Sequence, residues 1–133
     1  KGFLERMDEY YRKLIGVVYT RTPPDCRIVM HSYDYAIPSG NGVFGGEAWL
    51  ASALVDAQVP ATLHQACVNL LIDAFHGMLV EITRMDPQHL FVVDSRGTLE
   101  PHEWANELHP TADGFRKIAD TRWKPLLQTI GLA

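Results

Sequence analysis

Arg27-Ile28-Val29-Met30-His31 and His89-Leu90-Phe91-Val92-Val93-Asp94 decide the fold class. Both are apolar runs too short for a helix and without the alternation of a half-wet strand. Each therefore reads as a buried strand of a parallel sheet. Each also follows a breaker, Thr22-Pro23-Pro24-Asp25 before the first run and Asp86-Pro87 before the second, where proline can supply no backbone donor.

Outward from these runs the pattern is helical. Leu4, Met7, Tyr11, Leu14, Ile15 and Val18 recur at three- and four-residue steps and predict an amphipathic helix over 3–20, although the β-branched end from Ile15 to Thr20 suits a strand as well. Between the two strands lies a loop from Ser32 to Gly46, rich in Gly, Pro, Ser and Asn; loops this long are usually functional. Glu47 to Ala57 reads as a short helix. Pro60 then opens the strongest helix, whose stripe of Leu63, Ala66, Cys67, Leu70, Leu71, Ala74, Phe75, Met78, Leu79 and Ile82 is unbroken. A polar connection from Ser95 to Pro110 leads into a last helix from Thr111, which Pro125 either interrupts or follows with a further turn.

Helix, strand, helices, strand, loop and helix in that order is the grammar of an α/β protein with a parallel sheet. Two strands are too few for a sheet covered on both faces, and the chain opens on a helix and on Lys1 rather than an initiator Met. We therefore expect residues 1–133 to form a single partial α/β domain, the C-terminal part of a larger one.

Composition narrows the function classes. The 133 residues suit one domain, and 47% apolar content is that of a globular protein. A net charge of −4, with no cluster of five Lys/Arg, excludes a nucleic-acid partner held by a basic face. No uncharged apolar run reaches the roughly 18–20 residues of a membrane span, so none is expected. Cys26 and Cys67 lack the spacing of a metal or redox pair and are expected to be small buried thiols.

Ligands of an open parallel sheet bind beyond the carboxyl ends of its strands, which here are the segments after His31 and after Asp94. The sharpest constellation in them is Trp104-Ala105-Asn106-Glu107-Leu108-His109-Pro110-Thr111-Ala112-Asp113-Gly114-Phe115. Pro110 forces His109 out of the helical region, and Thr111 is a good N-cap for the helix that follows. His109 is thus pinned on a stiff elbow, as a general base requires, with Asn106 and Glu107 as candidate acceptors for its second ring nitrogen.

This segment resembles the last motif of the SGNH hydrolases, the GDSL esterase and lipase family, whose Asp-x-x-His-Pro signature precedes a Gly and a helix. His109, Pro110 and Gly114 match, and Asn106 stands where the family has Asp. The element order also resembles the second half of that fold. The resemblance implies a flavodoxin-like three-layer fold with about five parallel strands, and hydrolysis of a small-molecule ester or related acyl bond without a cofactor or metal. His109 takes the general-base position and Asn106 the orienting one, with Glu107 as a possible substitute. An amide fixes one tautomer of imidazole but cannot neutralise imidazolium.

The family's Gly-Asp-Ser nucleophile motif and Gly-x-Asn-Asp oxyanion motif do not occur in these residues. Gly40-Asn41-Gly42 has an oxyanion loop's composition without its context. Of Ser32, Ser39, Ser52 and Ser95, only Ser32 leaves a strand end. The chain is accordingly expected to need a nucleophile-bearing N-terminal segment of the same domain. Tyr33, Tyr35, Phe44 and Trp49 are candidate walls of an acyl pocket. Two alternatives stand beside this one. In one, a non-catalytic α/β module binds a partner through the Tyr33/Tyr35 loop. In the other, His31, Asp34, Asp94 and His109 form a metal-dependent hydrolase.

Overall fold

The computed structural model describes residues 2–43, 46 and 48–132. Its elements in chain order are α1 (Phe3–Tyr19), β1 (Ile28–His31), α2 (Leu50–Asp56), α3 (His64–Thr83), β2 (Leu90–Val93), α4 (Ala112–Ile118) and α5 (Lys124–Thr129). The expected start of α2 at Glu47, like Phe44, lies outside the described residues. The end of α1 is helical, not extended: Ile15 is buried against α3 and β1, and that packing outweighs its β-branched preference. One 3₁₀ turn, Ala61–Leu63, leads into α3. A π turn over Ala119–Trp123 joins α4 to α5, and Pro125 sits in the first turn of α5, where its missing N–H leaves no ladder bond broken.

β1 and β2 pair in parallel, Ile28 against Leu90 through His31 against Val93, so both chains leave the sheet at the same end. Ile28, Met30, Leu90 and Val92 share one face, onto which α1 and α3 pack through Ile15, Leu79 and Ile82. On the other face the Trp123 ring lies 5.6 Å from His31, and the Arg27 guanidinium donates to the Ile130 carbonyl. A coarse α/β layering is therefore present, with helices on both faces of a small parallel sheet.

Much apolar surface stays open. The α3 stripe is covered only toward its C-terminal end: Leu79 and Ile82 are fully buried, whereas Leu70 is 72% and Leu71 45% exposed. Periodicity marks a face; it does not supply the neighbour. Both cysteines are half-buried rather than buried, because Cys67 lies on the uncovered part of that stripe and Cys26 in the turn before β1. By length and composition alone the segment Ala61–Thr83 could cross a membrane; it is not an uncharged run, since it carries Asp73 and Glu81, and its last turns bury Leu79 and Ile82 in the core shared with α1 and β2.

The Ile28 N–H donates to the His89 carbonyl (2.7 Å) and the Ser32 N–H to the Val93 carbonyl (2.9 Å). Alternation then turns the backbone groups of Val29 and His31 toward the opposite edge, beside which no strand lies among the described residues. A groove of about 220 Å³, between that edge and Tyr11, Leu14 and Val18 of α1, runs along it. The accessible surface, 8374 Å², exceeds by about 1,300 Å² the value typical of a folded monomer of this mass.

Candidate active site

An antiparallel bridge between Trp104 and Pro110 closes a tight turn over 105–109, with the Ala105 N–H donating to the His109 carbonyl at 2.8 Å. Inside it the Asn106 side-chain oxygen accepts from the N–H groups of Leu108 (3.0 Å) and His109 (2.9 Å), and lies 3.0 Å from His109 Nδ1. Two backbone donors can face only the oxygen of that amide, so its orientation is fixed. Nδ1 facing the same oxygen must then carry the proton. In the neutral ring Nε2 is then the lone-pair nitrogen, and no described residue hydrogen-bonds it. The ring is exposed, and Trp49 meets it edge-on at 5.9 Å between centroids.

Glu107 acts elsewhere. It is fully buried, and its carboxylate accepts from four backbone N–H groups: Gly40 and Ala51 (both 3.0 Å) at one oxygen, Trp49 (2.7 Å) and Leu50 (2.8 Å) at the other. Burial pushes its pKa up, but the four backbone bonds outweigh burial and hold it below the ordinary carboxylate value. Glu107 therefore anchors the start of α2, and with it Trp49, rather than orienting the imidazole. The Gly40 N–H is consumed in the same anchor, which removes it from any oxyanion role. Asn41 accepts the Glu107 N–H at 3.1 Å, closing the loop onto the 105–109 turn.

Asp34 holds the other strand-end loop in the same way. It is buried, and its two oxygens accept from the N–H groups of Tyr35 and Gly97 (2.6 Å each), Thr98 (3.0 Å) and Leu99 (2.7 Å). Ser32 is also buried; its hydroxyl meets the Val93 carbonyl (3.2 Å) and accepts the Ser95 N–H (3.0 Å), so it ties β1 to β2. None of the four serines hydrogen-bonds His109 among the described residues. His31 bonds the Ser32 carbonyl through Nδ1, and Asp94 pairs with Arg96. The set His31, Asp34, Asp94 and His109 does not converge, and no three His, Cys, Asp or Glu among the described residues are placed to hold a metal ion.

Sequence reasoning missed the charged cluster at the end of β2. Arg96 bridges Asp94 (2.8 Å) and Asp73 (2.7 Å), and Tyr35 donates to the same Asp73 at 2.7 Å. The Arg96 contact, working against partial burial, brings Asp94 down to about 2. Its only sequence trace is an Asp-x-Arg pair directly after a strand. Tyr33 stacks at a tilt on Trp104, 6.2 Å between centroids, above a cavity of about 260 Å³ under α4, into which Phe115 and Trp123 also face.

The geometry thus brings together Asn106, His109 and Trp49 and assigns Glu107 and Asp34 to the loops that carry them. Comparison with protein-family models, with curated proteins and with solved structures returns no match for this chain.

Proposed function

We propose that this chain is the histidine-bearing C-terminal part of an SGNH-type serine hydrolase that cleaves an ester or related acyl bond. One observation carries the reading: Asn106 accepts from His109 Nδ1, leaving a basic Nε2 open beside the carboxyl ends of two parallel strands. In this mechanism a serine hydroxyl gives its proton to Nε2 as the oxygen attacks the acyl carbon. The same proton then passes to the departing alcohol. Asn106 holds the ring's tautomer and direction throughout. Being uncharged, it stabilises the transient imidazolium less than a carboxylate does.

The nucleophile belongs to a preceding segment of the same domain, which completes a flavodoxin-like sheet. The outer edge of β1, unpaired among the described residues, and the large accessible surface support this, since a further strand and helix would cover both. The test joins the chain to the coding sequence immediately before Lys1 and offers a short-chain nitrophenyl ester. Turnover that His109→Ala abolishes is expected, while the 133 residues alone should give none. Turnover by those residues alone, or turnover indifferent to His109, contradicts the proposal.

A further inference from the structure

His109 stands at one end of an apolar groove of about 380 Å³ between α1 and α3. Phe3 and Met7 form one wall, Leu71 and Phe75 the other, and Leu108 lies beside the imidazole. Among the described residues that line it, only His109 and the Tyr33 phenol are titratable, and none carries a fixed charge. Phe3 keeps 58% of its surface wet. An apolar trough with two hydrogen-bonding groups, the His109 imidazole and the Tyr33 phenol, has the composition of a ligand cleft.

We propose that this groove binds one unbranched alkyl chain with a neutral oxygen head, a hydroxyl or an ester, the head at His109 Nε2 and the chain along Leu108, Leu71 and Phe75 toward Met7. The lone pair on Nε2 accepts from a hydroxyl, and among the described residues no lysine or arginine lines the walls to hold an anionic head. A peptide in the same place would bring backbone N–H and C=O groups that these side chains leave unpaired. Phe3 to Met7 and Leu71 to Phe75 each span one helical turn, about 6 Å, so the walls match an extended chain of roughly five or six carbons. The position of the head rests on the base role proposed for His109; the groove itself does not.

The experiment titrates the chain with 1-butanol, 1-hexanol and 1-octanol by calorimetry and follows the leucine methyl and imidazole resonances. Affinity is expected to rise about fourfold per methylene, the transfer value of a buried CH₂, up to about six carbons and to level off beyond. Leu71→Gln should weaken octanol about tenfold and leave butanol unchanged, whereas Leu14→Gln, on α1 beside the β1 edge, should alter neither. Circular dichroism checks that both variants keep the parent fold. Affinity independent of chain length, equal effects of the two variants, or shifts at Leu14 in place of Leu71 and Leu108 would overturn the proposal. Binding requires no turnover: the groove fails alone if alkanols do not bind while a His109-dependent esterase works, and the hydrolase reading fails alone in the reverse case.

Discussion

Replacing Glu107 by Gln preserves the side chain's shape and removes what its surroundings use. Each carboxylate oxygen accepts two backbone N–H groups, Gly40 and Ala51 at one, Trp49 and Leu50 at the other. Whichever way the amide turns, its NH₂ faces two donors, which are stranded in a site closed to water. At roughly 1–3 kcal/mol for each stranded donor, with weaker bonds at the remaining oxygen, the variant should lose about 3–4 kcal/mol. For a chain of this size that is roughly 10–15 °C in Tm. Urea denaturation at pH 7 measures it, and Trp49, freed from His109, should change its fluorescence in the folded baseline. The pH dependence has a definite sign. A carboxyl held below its ordinary 4.5 stabilises the fold above that value and loses the contribution as pH falls through the depressed one. The gap between parent and Glu107→Gln should therefore narrow below pH 4.5. A variant within about 0.5 kcal/mol of the parent, the range of ordinary surface changes, would refute the anchoring role.

Three further outcomes follow from the same geometry. A Cβ on Gly114 would meet the Glu103 carbonyl at 2.7 Å and Pro110 at 3.0 Å, so Gly114→Ala should cost about 1–3 kcal/mol by thermal melting despite its better helix propensity. Asp94 titrates at about 2 in the fold, so its contribution is complete above 3.8 and fades as pH falls toward 2. Asp94→Asn should flatten that limb of a pH–stability curve, modestly, since the carboxylate is half exposed. In a protein that carries the nucleophile, Asn106→Ala should lower kcat/KM for an ester by roughly 10²-fold or more, whereas Asn106→Asp, which keeps all three acceptor bonds and adds charge, should match or exceed the parent.

What the sequence made legible is what depends on neighbours in the chain. The two apolar runs after prolines became the two strands, and the Asn106–His109 pair emerged because its contacts span three residues. Glu107 and Asp34 were misread for the opposite reason. All of Glu107's partners, at 40–51, and three of Asp34's four, at 97–99, lie more than fifty residues away, and an acid beside a histidine, as Glu107 is, looks in sequence like the histidine's own partner. The uncovered half of α3 was equally hidden, since a stripe says which side chains share a face and not what packs on them.

The base role of His109 stands on one proton. A ¹⁵N-resolved NMR spectrum of the imidazole at a pH where it is neutral should show Nδ1 protonated and Nε2 bare, with a scalar or exchange signature of the Nδ1–H bond that disappears in Asn106→Ala. An imidazole carrying its hydrogen on Nε2, or exchanging freely between tautomers with Asn106 in place, would contradict it.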